Sequence, residues 1–274
     1  MLLMISGVVQ AAYITIGQEG NSADTTGYGA VGYTYRISQY EVTIAEFSAS
    51  GLGSGNENYW NSIGSGAPAV NLSWYEAAQY CNWLTTGDAL LGAYQFNGSG
   101  TLTNVMSRAN ILADGGLFFL LPTEDEWYKA AYFKNGVYSL YANGTDTAPT
   151  TAESRYGGIS PWVVGSSGFQ ELNGTYDMMG NIYEWTESAN DGVLDNLAGE
   201  SMILRGGYYG SVASVLSSSS AGIPYLIGDA GEIGGGFRVV AIPEPATVLL
   251  FGLGGMGAWI FRRSKLKSKE EVDA

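Results

Sequence analysis

Residues 172–186 read LNGTYDMMGNIYEWT, and the reading of this stretch decides the fold. An Asn-Gly turn is followed by a tight Met-Gly-Asn turn, and then by Tyr183, Glu184 and Trp185. A glycine between side chains that can bond their own backbone suits a bend needing positive φ. Large rings on both sides of one acid place Glu184 in a partly buried setting. Burying a carboxylate is costly unless backbone donors, an arginine or a metal pair with it. Two readings stay open: Glu184 satisfied inside a protein network, or a bound cation with carbonyls of the 179–182 turn as further ligands. Such all-oxygen coordination suits a hard ion, above all calcium.

Outward from that stretch, composition sets the class. Forty glycines beside nineteen tyrosines and seven tryptophans in 274 residues describe a loop-rich domain held by aromatic packing, not a helical bundle. The length suits one large domain or two small ones. A net charge of -14 argues against a nucleic-acid phosphate binder. Five of the twelve basic residues lie in the last thirteen positions, so the rest of the chain is more acidic still. There is no histidine, which removes histidine-ligated zinc or iron and every histidine base. A single cysteine, Cys81, makes neither an internal disulfide nor a structural zinc cluster. Chemistry would have to rest on carboxylates, tyrosines, lysine, Cys81 or a hard cation.

Three helix starts are written alike. Thr43 with Glu46, Ser73 with Glu76 and Thr123 with Glu126 each have capping-box spacing. After Ser73, the residues Trp74, Ala77, Ala78, Cys81 and Leu84 fall on one helical stripe, which gives Cys81 a buried, structural place. Residues 33–38 alternate as a strand does, and 203–205 read as a strand entering a glycine bend. Residues 88–112 read as an extended excursion with a hairpin of 94–96 against 102–104. Residues 187–200 read as acidic and exposed, and 234–241 as a closing internal strand. Arg205 and Arg238, scarce cations beside apolar neighbours, read as partners for buried acids.

The two ends differ from the middle. Residues 1–12, MLLMISGVVQAA, are apolar and close on small residues, so they read as a signal peptide cut near Ala11 or Ala12. The alternative is a first buried strand running into 13–16. At the other end Pro243, Glu244 and Pro245 precede a sixteen-residue apolar run, 246–261, and then Arg262, Arg263, Lys265, Lys267 and Lys269. Apolar run plus basic cluster predicts a transmembrane segment, extended by its flanks toward the roughly 20 residues a span needs. Over 242–269 this order resembles the PEP-CTERM sorting signal of bacterial exported proteins. The resemblance implies recognition and processing by an exosortase, and a cell-surface or matrix destination.

Six motifs occur in order: YEVTIAEF, PAVNLSWYEAAQYCNWL, LPTEDEWYKAAY, YDMMGNIYEW, LRGG and GGFRV. Together, over residues 13–241, they resemble the formylglycine-generating enzyme or sulfatase-modifying factor family. The family implies an α+β fold: one irregular mixed domain, distantly like C-type lectins, with little regular secondary structure. Formylglycine-forming members use a copper-binding cysteine pair between the RGG and GFR motifs, and those positions match Ser211 and Leu216. Neither supplies a thiolate to a cuprous ion. A related branch binds iron through histidines, which are absent here, so copper, iron and zinc are not expected. The family's calcium site carries over to the backbone of Met179, Gly180 and Ile182 and the side chain of Glu184. A second calcium position falls around Glu153 and 166–169, where the altered sequence assigns no ligands.

These readings lead to an exported, non-catalytic, calcium-stabilised binding or surface domain. Its expected partners are an exosortase and an extracellular peptide, protein or polysaccharide, with a ligand region at Tyr208, Tyr209 and Ser211. The rival is a family enzyme with an altered active site around the same residues. A rigid matrix component is the structural option.

Overall fold

The computed structural model describes residues 12–194, 200–228 and 235–242. In chain order the elements begin with β1 (Tyr13–Ile16), β2 (Tyr35–Ser38), α1 (Ile44–Ala49), α2 (Trp74–Thr86), β3 (Tyr94–Phe96) and β4 (Leu102–Val105). They continue with α3 (Arg108–Asp114), β5 (Phe118–Leu120), α4 (Glu124–Tyr132), β6 (Phe133–Lys134) and β7 (Val137–Tyr138). The last are β8 (Tyr183–Ala189), β9 (Ser201–Arg205), β10 (Ile223–Leu226), β11 (Gly235–Gly236) and β12 (Val240–Ile242). The result is a mixed α+β domain with little regular structure, as the glycine and aromatic excess predicts.

Two small sheets organise it. One has the order β1-β2-β12-β5 with antiparallel neighbours; the other has the order β10-β9-β8-β11, in which β11 lies parallel to β8. Residues 235–242 tie the sheets together. They leave β8 at Gly236, run beside 36–42 through hydrogen bonds from Val42 N–H to the Phe237 carbonyl and from Ser38 N–H to the Val239 carbonyl, and end as β12. Arg238 sits in the middle of that run.

All three predicted capping boxes are present. Thr43, Ser73 and Thr123 each accept from the amide three residues on, and Glu46, Glu76 and Glu126 bond back to the cap. In α2, Trp74, Ala77, Ala78 and Cys81 are buried and Leu84 is half-buried, so the stripe packs as predicted. Burial pushes the Cys81 thiol well above its ordinary range, which keeps it protonated and inert.

The excursion at 88–112 holds the predicted hairpin, β3 against β4, but also an unpredicted helix, α3. Only Ile111 of α3 is buried, so the segment carries no apolar period to be read. Glu187, read as the start of an exposed acidic stretch, instead pairs with Arg108 at 3.0 Å and accepts from the Tyr94 hydroxyl.

The expected transmembrane segment needs correction. No helix among the described residues is long and apolar enough to cross a membrane. At about 1.5 Å per residue the run at 246–261 reaches only about 24 Å as a helix, short of a hydrocarbon core of roughly 30 Å. That run, the sorting residues Pro243, Glu244 and Pro245, and residues 1–11 of the expected signal peptide all lie outside the described residues.

Candidate functional site

The opening stretch forms the turn it predicts. Asp177, Gly180 and Asn181 take φ of 61°, 81° and 58°. Gly180 is obligatory, because a Cβ there would stand 2.2 Å from the Arg155 carbonyl oxygen. The turn then clamps its surroundings. Gly180 N–H donates to the Gly206 carbonyl, Asn181 N–H to that of Arg155, and Tyr209 N–H to that of Asn181. The Asn181 side chain donates to Glu41 Oε2 at 2.6 Å and accepts from Trp162 N–H at 2.7 Å. Asp177 Oδ2 accepts from Gly165 N–H at 2.6 Å. One tight turn thus fixes the 155–165 and 206–209 loops together.

Glu184 is fully buried, and protein donors meet it. Oε2 accepts from Trp127 Nε1 at 2.7 Å and Arg238 Nε at 2.6 Å, while Oε1 accepts from Arg238 Nη2 at 2.6 Å. The same guanidinium donates to the carbonyls of Ser38, Gln39 and Tyr176. Three further buried acids feel its charge. Burial pushes Glu171 up to about 7 and Asp177 up to about 6, with Arg238 pulling the other way. Burial, with Asp177 and Glu184 nearby, drives Glu41 well above the carboxylate range, and its Oε1 has no partner among the described residues.

This geometry bears on calcium. Met179, Gly180, Ile182 and Glu184 stay together on the turn and the start of β8, but the Met179 carbonyl accepts from the Ser154 hydroxyl. A cation at Glu184 would have to share the carboxylate with a guanidinium, so two of the four expected ligands already have protein partners. Millimolar calcium is therefore expected to leave the melting temperature of chelator-treated protein unchanged. A calcium-dependent rise that disappears in Glu184→Gln would restore the ligand role.

Ser211 and Leu216 do converge. A Cβ on Gly207 would lie 3.3 Å from Ser211 Oγ and 2.7 Å from Leu216 Cδ2. Ser211 Oγ accepts from Tyr208 N–H at 3.0 Å, and Leu216 is packed in the core. The pair is thus a hydroxyl cap and an apolar plug. Beside it, between Tyr183, Arg205, Gly206, Gly207 and Ser217, lies a polar cavity of about 10 Å³, room for about one water. Arg205 in its wall is paired with Glu124 at 2.5 Å.

The aromatic neighbours of this plug lead outward. Tyr183 stacks on Tyr208 at 5.2 Å, Tyr208 meets Tyr209 at 5.0 Å, Tyr209 meets Trp60 at 5.5 Å, and Trp60 meets Tyr59 at 4.9 Å. The row starts at buried Tyr183 and ends at Tyr59, which is 67% exposed. Hydrogen bonds from Gly157 and Gly158 N–H to the Ser211 and Tyr209 carbonyls, and from Val164 N–H to the Gly66 carbonyl, join the three loops involved. Those loops also present Ile159 at 89% and Val212 at 64% exposure, with Ile63 and Val163 nearby. Tyr208 and Tyr209 were singled out by sequence; Ser211 is capped beneath them rather than on the face. Tyr59, Trp60, Ile159 and Val212 were missed. An adjacent Tyr-Trp pair inside a Gly, Ser and Asn loop is the signal that could have found the first two.

Residues 29–242 match the family described as the sulfatase-modifying factor enzyme 1-like domain, and residues 241–264 match the PEP-CTERM protein-sorting motif. The motif makes an exosortase-type system the processing partner and marks the chain for export with C-terminal processing at the membrane. No curated protein sequence matches the chain. Among solved structures it is similar to Treponema denticola variable protein 1, with a TM-score of 0.65 and 22% identity over 86% of this chain and 97% of that one. A structure described as CarF gives 0.60 and 19% identity, covering 86% of this chain and 100% of that one. PvdO from Pseudomonas aeruginosa gives 0.50 and 18% identity, over 84% and 91%. At such identities the likeness is one of fold alone. Matched over most of its length, the chain belongs to the sulfatase-modifying factor enzyme 1-like family, in a form whose one cysteine is the buried Cys81 of α2.

Proposed function

We propose that this chain is an exported, non-catalytic binding domain, built on a distantly lectin-like scaffold and retained at the cell surface or in the extracellular matrix. Its ligand face is the surface formed by Tyr59, Trp60, Tyr208, Tyr209, Ile159 and Val212. The observation that carries the reading is a row of half-buried rings ending at exposed Tyr59, on three mutually bonded loops that also carry the exposed Ile159 and Val212. Contiguous apolar patches on a soluble domain mark interaction sites, and Tyr and Trp supply contact area at little entropic cost. Two of the loops are held by the turn at 177–181 and the third is tied to them by the Val164–Gly66 bond, so the face is pre-organised rather than formed on binding. A net charge of -14 disfavours polyanionic ligands. The class supported is therefore an uncharged or cationic extracellular protein, peptide or polysaccharide.

The test is a peptide and glycan array probed with the purified domain, followed by titration of the strongest hit. Trp60→Ala and Tyr209→Ala should each weaken that binding by about tenfold or more, the loss typical of a central aromatic contact. The Tyr209 amide bond to Asn181 survives the second change. Binding that tolerates both substitutions would remove this face from the function.

A further inference from the structure

The sorting motif and the folded domain leave no linker between them. The domain match ends at residue 242 and the motif match begins at 241, so Pro243 follows directly on the last residue of β12. β12 is no dangling end. It lies between β2 and β5, with Ala241 opposite Arg36 and Phe119, Ile242 opposite Phe118, and Ile242 fully buried. The processing machinery therefore takes hold of the chain where it leaves the interior of a sheet.

The course of the preceding residues says which way the domain then faces. Gly235 pairs with Tyr183, the inner end of the aromatic row. From there the chain advances along 42 to 36, through the Phe237 and Val239 carbonyl contacts, to the register of Val240 with Ile37. At about 3.3 Å per extended residue, that advance carries the chain up to roughly 20 Å from Gly235. It emerges next to Phe118, whose neighbour Leu117 is 42% exposed; α3, which precedes β5 in the chain, exposes Leu112 as well. The sorting end thus lies at one end of this run, and at the other lie Tyr183 and, through the Ala69–Val42 and Val164–Gly66 backbone bonds, the loops that carry the aromatic face; two leucines are exposed on the sorting side.

We propose that β12 fixes the orientation in which this domain is displayed. The edge carrying Leu112 and Leu117 faces the exosortase-type system and the surface it serves, and the face of Tyr59, Trp60, Tyr209 and Ile159 points away. The fold thereby turns a C-terminal sorting signal into outward presentation of the loops. The meaning of this orientation rests on the binding reading above. Its test reads orientation and not binding, so the two can fail separately.

Cysteine labelling provides that test, because the sole native thiol, Cys81, is buried and gives a blank background. Full-length chains carrying Ile159→Cys or Leu117→Cys in a Trp60→Ala background, which keeps a ligand of the face from shielding Ile159, are exported and processed in cells, then treated with a bulky, membrane-impermeant maleimide. Labelling of Ile159→Cys should proceed at the same rate on intact cells and on protein released by detergent. Labelling of Leu117→Cys should be about tenfold slower on cells and recover on release, since thiol reactivity follows access. Val212→Cys and Leu112→Cys form a second pair should either first variant fail to fold. Equal labelling of both edges on cells, protection of Ile159→Cys, or recovery of the chain solely in the medium would overturn the proposal.

Discussion

Replacing Arg238 by methionine is expected to cost about 3–5 kcal/mol, the range for stripping one partner from a buried ion pair. Against a total stability of roughly 5–15 kcal/mol, that change alone brings the domain close to unfolding. Both partners are fully buried, and Arg238 spends its donors on two Glu184 oxygens and three backbone carbonyls. Methionine restores none of these bonds. It also removes the cation that faces Glu41, Glu171 and Asp177 as well as Glu184. Lysine is no substitute, since a point charge cannot hold a carboxylate in a fork while reaching three carbonyls. Adding Glu184→Gln to Arg238→Met should recover part of the loss, because it takes away the orphaned charge and leaves an oxygen for Trp127 Nε1. Urea unfolding of the three proteins measures this. A single-variant cost below about 1 kcal/mol, the range of an exposed pair, would show that the network does not hold this centre together.

The sequence made the helices and the turn legible because each is written in local chemistry. A Thr or Ser three residues before Glu states where α1, α2 and α4 begin, and Gly180 beside Asn181 states a left-handed bend. The partners of Glu184 were legible only as a class. A ring-flanked acid needs a cation, but Arg238 lies fifty-four positions away, and no local pattern distinguishes an arginine from a calcium ion. α3 escaped because one buried residue makes no period. The ligand face escaped for a different reason. Tyr59 with Trp60, Ile159, and Tyr208 with Tyr209 lie in three separate loops, which the long-range bonds of Gly157, Gly158, Val164 and Asn181 and the Trp60–Tyr209 ring contact bring together. Such a surface is a property of tertiary structure, so single motifs carry pieces of it and never the whole.

Stability is expected to fall as the pH rises from about 4 to about 7, against the usual behaviour of carboxylates. The folded values of about 7 for Glu171 and about 6 for Asp177 arise chiefly from burial and lie above the ordinary unfolded range. A raised folded pKa means that the protonated group favours the fold. Its contribution is complete below about pH 4 and disappears as the pH passes through the folded value. Raising a carboxyl pKa by one in the fold is worth about 1.4 kcal/mol, so together the two groups withdraw on the order of a few kcal/mol by neutral pH. Glu126 acts in the opposite sense. Burial would raise it, but Arg108 holds it below its ordinary range, and its contribution is lost only in acid. Asp177→Asn separates these effects, because asparagine keeps an oxygen for Gly165 N–H but has no charge to place beside Glu184 and Glu41. The variant should melt above the parent at about pH 7 and converge with it below about pH 4, where Asp177 is neutral in the unfolded chain as well as in the fold. Melting curves of the two proteins across that window give the difference directly, and curves that stay parallel throughout would mean that Asp177 remains ionised beside Glu184, with its charge met by Arg238.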